Sequence, residues 1–298
     1  MNPWFVVNPR AGGVRYGELT KAIRRQLAGR EATISGDPPD AEGRSRLVVA
    51  VGGDGTVNRV INRCDPRRLR LGILPRGSAN DLGRALAIPA DLGRAWELLE
   101  AGASEEIDLI SVNGSRFATC GGFGLAAEVA LRANRWKAGW TSAAARRLGP
   151  LVYVLASLAE LSKAQAGIAA TVRAGGVTRR LHLAGALVSN QRHFGRWFSA
   201  SPQASNRDGQ LDFCGVEATG GRARLLSVFG QMLRGGCAGR SGVVALRARS
   251  LAIETDADVT FFGDGEPLSH GRRFRIEVLR RALTVVTGRS GAALAEAA

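Results

Sequence analysis

VVAVGGDGTVN, Val48 to Asn58, is an apolar run that empties into three glycines and one acid. Four consecutive apolar residues with no polar interruption read as a strand buried on both faces, the kind found inside a parallel sheet. Gly52, Gly53 and Gly55 stand at its carboxyl end, and the segment after Thr56 has the spacing of a helix. Ligands of open parallel sheets bind at that place, because loops and helix N-termini converge outside the strand ends. Glycines let backbone amides approach phosphate oxygens, and the helix end adds partial positive charge. Thr56 is placed either to cap the helix or to donate to a phosphate. Asp54 is an acid among groups that attract phosphate, so a metal ion or a ribose hydroxyl is the partner that makes sense of it.

Working outward, the same pattern recurs on both sides. WFVVN, Trp4 to Asn8, is a short apolar run followed by a loop with Asn8, Arg10, Gly12 and Gly13. Gly17 to Ala28 has helical spacing, with Leu19, Ile23 and Leu27 on one face. LGILPRGSAND, Leu71 to Asp81, is again strand, loop and helix start, with Ser78, Asn80 and Asp81 as small polar groups. For Asn80 or Asp81 alone, plain helix capping accounts for the residue. The alternation predicts a parallel sheet covered by helices, with three loops on neighbouring strand ends forming one cleft.

The texture changes after Ile107. IDLISVNG followed by SRFATCGGFG predicts a hairpin turning at Asn113-Gly114. A mainly helical stretch from about Leu125 to Ala166 precedes a series of short strands, which together predict an antiparallel β-sandwich. The expected domains are residues 1–107 and 108–287, with a tail over 288–298 that packs back on the first. Gly122 to Ala127 matches G-x-G-x-x-A, but no parallel strand-helix-strand unit surrounds it, so it reads as a tight strand-to-helix turn. The P-loop signature G-x-x-x-x-G-K-[ST] does not occur. In VTFFGDGEPL, Asp264, Gly265 and Glu266 occupy a turn after an apolar run. Such turns are usually structural. A functional role would be a carboxylate near the phosphates that accepts a proton from an attacking hydroxyl.

With 41 basic against 26 acidic residues, the 298-residue chain carries a formal charge of +15. That field favours anionic partners, among them an anionic bilayer surface and phosphorylated small molecules. No nucleic-acid-binding module accompanies it, so nucleic acid is not an expected partner. Cys64, Cys120, Cys214 and Cys237 are widely separated, which favours free buried thiols over a disulfide or zinc framework. The longest apolar stretch, Leu148 to Leu161, is short of the roughly 20 residues that span a bilayer. A cytoplasmic protein touching the inner membrane face transiently is the expectation.

Taken together, VNPRAGG, VGGDGTVN, GILPRGSANDLGRAL and FGDGEPL resemble the diacylglycerol kinase family, in particular its soluble bacterial lipid kinases. The motifs stand in that family's order and cover nearly the whole chain. GGDGT is shared with NAD kinases and resembles phosphofructokinases, while the later segments separate the lipid kinases from both. The resemblance implies an α/β nucleotide domain of the NAD kinase/diacylglycerol kinase type, a C-terminal antiparallel β-sandwich, and an active site between them.

It also implies ATP contacts at Asn8, Ser35, Gly52, Gly53, Asp54, Gly55, Thr56, Val57, Asn58 and Ser78. Ser35 and Ser78 stand where the family usually has threonine, and both keep the hydroxyl. Glu266 falls on the position of the proton acceptor, with Asp264 beside it and Asp54 on the nucleotide and its magnesium. Asp208 and the Gln210 backbone match the family's second magnesium site, with Asp212 next to it. The basic residue often found three positions before that Asp is Ser205 here. A glycine cluster usual in the family is replaced by NQRHFGRWF, Asn190 to Phe198, which should border the acceptor. There, Trp197 and Phe198 either dip into a bilayer or sit in the core. The implied activity is Mg-dependent transfer of the γ-phosphate of ATP to a lipid hydroxyl at a membrane surface, with a homodimer left open. Leu131 to Arg147, with Trp136, Trp140 and five basic residues, reads either as an interfacial helix or as a packed helix with a basic outer face. The alternative functions are a catalytically silent nucleotide or lipid sensor and an NAD kinase.

Overall fold

The computed structural model describes residues 2–9, 16–39, 46–138, 152, 155–156, 159–160, 167–195 and 198–288. Arg10, Gly12, Gly13, Trp140 and Trp197 lie outside the described residues. The chain forms two compact units, one of Met1–Ile107 with Arg281–Ala298 and the other of Asp108–Arg280.

The first unit runs β1 (Trp4–Val7), α1 (Tyr16–Leu27), β2 (Thr33–Ser35), β3 (Arg46–Gly52), α2 (Asp54–Arg63), β4 (Leu69–Pro75), α3 (Asp81–Ala85) and α4 (Leu92–Ala101). The strands lie side by side in the order β2-β1-β3-β4, all parallel. Val48, Val49, Ala50 and Val51 are buried, as an unbroken apolar strand in a two-sided sheet requires. Leu19, Ile23 and Leu27 form the buried stripe of α1 at the expected spacing. Phe5 stacks on Trp96 of α4, with ring centroids 5.5 Å apart. The chain leaves this unit along β5 (Ser104–Val112).

In the second unit follow β6 (Ser115–Phe117), β7 (Cys120–Gly124), α5 (Leu125–Ala138), β8 (Ile168–Ala174), β9 (Val177–Ser189) and β10 (Leu211–Glu217). Then come α6 (Gly221–Leu233), β11 (Val243–Ala248), β12 (Ser250–Gly263) and β13 (Glu266–Val286). Every pairing of β7 to β12 is antiparallel, in the order β11-β10-β9-β7-β12, and β8 bonds to both β9 and β12. Phe117, Phe123, Val188, Phe213, Phe261 and Phe274 fill the core between these strands. The end of β13 returns to the first unit and runs parallel to β4 through Thr284 and Val285.

Both predicted tight turns form. Asn113 and Gly114 have φ of 49° and 91° between β5 and β6, and Asp264 and Gly265 have 53° and 84° between β12 and β13. Two successive positive φ values define the hairpin turn whose twist matches the strands, and Asn-Gly or Asp-Gly suits it best. The G-x-G-x-x-A match is the β7-to-α5 turn, where Gly124 takes a φ of 68°.

Three features differ from the sequence expectation. Residues 221–233 form a helix where no element was expected, although Leu225, Leu226, Val228, Phe229, Met232 and Leu233 recur at helical spacing. Val243 to Thr255, which reads as one short strand, breaks at Arg249 into β11 and β12. Arg273 to Leu279 and Ala282 to Val286, which read as two short strands, both belong to the single strand β13. All four cysteines are free and buried. Among the described residues no helix is long and apolar enough to cross a membrane.

Candidate active site

At the carboxyl ends of β1, β3 and β4 the three loops are joined by specific contacts. Asn8 Nδ2 donates to Thr56 Oγ1 at 3.3 Å, tying the first loop to the second. Gly53 and Gly77 press backbone on backbone: a Cβ on Gly77 would lie 2.5 Å from the Gly53 Cα. A Cβ on Gly52 would lie 2.1 Å from Thr56 Oγ1. The cradle therefore admits no side chain at these glycines. Helix α2 starts at Asp54, with Gly53 as a cap that has no side-chain bond, and the amides of a first helical turn lack intrahelical acceptors. This is a backbone cradle of the kind that binds phosphate.

Asp54 has a task inside this cradle that no local pattern announces. Its Oδ1 accepts the N–H of Asp81 at 2.7 Å and that of Leu82 at 3.4 Å, so it caps α3 from the neighbouring loop. Asn80 occupies the cap position itself, with φ of 50°, but makes no cap bond. Instead it braces its own loop, accepting from Gly77 N–H and donating to Gly77 O, both at 2.9 Å. The capping expected of Asn80 is thus supplied by Asp54.

Thr56 does not cap α2 through its side chain; its hydroxyl faces Asn8. Thr56, Val57 and Asn58 are all buried, and Asn58 Oδ1 accepts from Asn62 at 3.2 Å. The backbone N–H groups of Thr56 and Val57 both donate to Gly53 O, at 2.9 and 3.2 Å. Ser35 ends β2 and accepts the Asp37 N–H at 3.1 Å, and Ser78 lies partly exposed in the loop after β4. Sequence reasoning passed over Arg76. Its N–H bonds to Gly52 O at 2.8 Å, and its Nε is buried with no hydrogen-bond partner among the described residues. The signal available was an arginine between Pro75 and Gly77 in a loop read as phosphate-facing.

In the second unit, Asp264 is held by three donors. Its carboxylate accepts from Ala118 N–H at 3.0 Å, Thr119 N–H at 2.9 Å and the Thr119 hydroxyl at 2.6 Å. Asn190, fully buried, braces the same segment through Ala118 O at 2.8 Å and Asp108 O at 2.9 Å. The Asp264 carboxylate thus fixes the turn, and Glu266 starts the next strand two residues on. Burial of the Glu266 carboxyl raises its pKa above the usual carboxylate value, and the charge of Asp264 adds to that. The residue as a whole is exposed. A carboxyl so placed can take a proton from a hydroxyl.

Asp208, Gln210 and Asp212 are brought together, and with them an arginine. Asp208 Oδ1 accepts the Gln210 N–H at 2.9 Å, while Oδ2 is bound by Arg247 Nη2. Asp212 Oδ1 accepts from Ser201 at 2.8 Å; its buried Oδ2 has no hydrogen bond among the described residues and lies 3.9 Å from Arg247 Nε. Burial raises the Asp212 pKa, and Asp208 adds to it, against Ser201 and Arg247. Among the described residues no group of three or more His, Cys, Asp or Glu is arranged to hold a metal. The Arg247 guanidinium is hydrogen-bonded to Asp208 and supplies counter-charge to Asp212 from 3.9 Å, the place a magnesium ion would otherwise take.

Of the segment Asn190–Phe198, Asn190, Gln191, Gly195 and Phe198 are buried, while Arg192 and His193 are exposed. Phe198 is buried, stacks on Phe194 and leans on Phe229 of α6. Phe198 is therefore core. Within Leu131–Arg147, Trp136 is half-buried against Ala133, and Arg132 pairs with the buried Glu160. The described part of that helix is an ordinary packed one.

Residues 2–112 match the diacylglycerol kinase catalytic domain, and residues 122–287 match the YegS C-terminal NAD kinase beta sandwich-like domain. The chain belongs to the diacylglycerol kinase family. Proteins named "Probable lipid kinase YegS-like" from Stenotrophomonas maltophilia and Pectobacterium atrosepticum resemble it over most of its length. The first is 30% identical over 78% of this chain and 75% of its own, the second 31% identical over 79% and 76%. A diacylglycerol kinase of Staphylococcus carnosus is 37% identical over 117 residues, so the match spans 38% of that relative's length. The crystal structure of a diacylglycerol kinase from Bacillus anthracis superposes with a TM-score of 0.69 at 21% identity, covering 96% of this chain and 97% of that one. An NAD kinase from Archaeoglobus fulgidus in complex with ATP reaches 0.53 at 13%, covering 97% and 94%. These two likenesses carry the fold alone. Diacylglycerol kinase family membership makes the chain a kinase, of a family of lipid kinases.

Proposed function

We propose that the protein transfers the γ-phosphate of ATP, taken as its magnesium complex, to the hydroxyl of diacylglycerol or a related lipid presented by a membrane surface. The observation that carries this reading is Glu266, an exposed residue whose carboxyl has a raised pKa beside the clamped Asp264. Phosphoryl transfer needs little covalent help from the protein; it needs positioning and charge neutralisation. The turn Gly52 to Gly55 offers backbone amides to the phosphates, and Arg76, whose backbone N–H bonds to Gly52 O, brings a cationic residue to the same loop. Magnesium, bound with the nucleotide, supplies further neutralisation of the phosphate oxygens. Glu266 takes the proton from the lipid hydroxyl as that oxygen attacks, and Asp264 positions the turn from which Glu266 acts.

The test is transfer of labelled γ-phosphate from ATP to a lipid panel in mixed micelles, with free NAD as a further acceptor. Label on one lipid, lost in Glu266→Gln with ATP affinity kept, is the expected result. Label on NAD would overturn the acceptor class. Label on nothing despite ATP binding would leave a nucleotide sensor.

A further inference from the structure

We propose that helix α6 and the loop after it form the surface by which the second unit settles on an anionic bilayer. The inference rests on the lipid-acceptor reading above and adds where the lipid is met. Leu226 and Leu233 are 46% and 38% exposed, although both are large apolar side chains. Seven residues apart, they stand two turns from each other on one side of the helix. On its inner side the helix buries Val228 and Met232, so it is apolar both towards the core and along one outer edge.

Charge supplies the second observation. From Ala218 to Ile253 the chain carries no aspartate or glutamate, while it carries Arg222, Arg224, Arg234, Arg240, Arg247 and Arg249. Arg222, Arg234 and Arg240 are exposed on α6 and just beyond it. An exposed apolar edge flanked by Arg222 and Arg234, in a stretch of chain without acids, suits headgroups of negative charge above an acyl layer. A protein partner would be expected to meet at least some acidic side chains here.

The third observation is position. The segment that the family resemblance places beside the acceptor is anchored on this helix: Phe198 leans on Phe229 at 5.4 Å, and Ser199 N–H bonds to Met232 O at 3.0 Å. A bilayer seated on α6 would bring lipid next to that segment without lifting it far from the acyl layer.

The experiment is sedimentation of the full chain with vesicles of phosphatidylcholine alone and of phosphatidylcholine mixed with phosphatidylglycerol. The wild type should prefer the mixed vesicles. Arg222→Ala with Arg234→Ala should weaken that binding about thirtyfold, at about one tenfold step for each 1.4 kcal/mol. Leu226→Ser with Leu233→Ser should weaken binding about tenfold or more. Both doubles should keep the wild-type melting temperature and phosphorylate a short-chain, dissolved diacylglycerol at the wild-type rate. Wild-type binding by both folded doubles, or equal binding of the wild type to both vesicle types, would overturn the surface. Binding lost in the doubles, with no enzyme form phosphorylating the dissolved lipid, would support the surface while removing the acceptor reading.

Discussion

Asp54 Oδ1 accepts the backbone N–H of Asp81 at 2.7 Å, so the acid inside the glycine turn also begins the helix of the next loop. The two loops are further pressed together at Gly53 and Gly77. Under the proposed function, nucleotide binding and loop assembly share one carboxylate, and substitutions can separate the two.

Asp54→Asn keeps a carbonyl oxygen for the Asp81 and Leu82 amides but removes the charge. Its melting temperature should stay close to that of the wild type, while turnover falls about a hundredfold. Asp54→Ala loses the cap as well and should unfold about 1 kcal/mol more easily. Thermal melts and initial rates on both variants make the comparison. Equal stability of the two variants would show that the cap contributes nothing.

Glu266 must be ionised to accept a proton, and its pKa is raised. Turnover should therefore rise with pH along a limb that lies above the ordinary carboxylate range. Removing the neighbouring negative charge in Asp264→Asn lowers the Glu266 pKa, so the limb should move to lower pH. A pH–rate profile of the two proteins reads this directly. A limb that stays in place would take Asp264 out of the electrostatics of the base.

Asp264→Ala leaves the buried amides of Ala118 and Thr119 without their acceptor. The expected loss is about 2–4 kcal/mol, since each buried donor left unpaired costs about 1–3 kcal/mol. Urea denaturation measures it. Asp264→Asn, which keeps one carbonyl oxygen, should lose less.

Arg247 stands opposite Asp212 in the β10–β11 register and also binds Asp208. The wild type, without nucleotide, should melt at the same temperature in EDTA and in magnesium. Arg247→Ala should lose about 1–2 kcal/mol in EDTA, and magnesium should restore part of it by taking the vacated counter-charge role. A wild-type melt that rises with magnesium would show a metal site that the arginine does not replace.

Much of the fold was legible because it rests on short-range chemistry. Val48 to Val51 can only be a strand buried on both faces, and Asn113-Gly114 and Asp264-Gly265 suit only a turn with two positive φ values. Helix α6 was legible and was passed over: Leu225, Leu226, Val228, Phe229, Met232 and Leu233 recur at i, i+1, i+3, i+4, i+7 and i+8, within about 160° of the helix circumference. At the site, the glycines of the cradle could be read from the turn they make. The work of Thr56 and Asn80 could not, because local capping rules predict bonds that were displaced by Asn8 from another loop and by Gly77 within Asn80's own loop.

By itself the sequence determined the alternation of strand, glycine loop and helix, the antiparallel second half, and the carboxylates that could do chemistry. Each of these follows from residues within a few positions of one another. Only the tertiary structure decided that Asp54 caps α3, that Asp264 is held by Ala118 and Thr119, that Phe198 is core, and that Arg247 meets Asp208 and Asp212. Those contacts join residues 27 to 146 positions apart in several cases. Strand order and register choose such partners, and neither is written in local spacing.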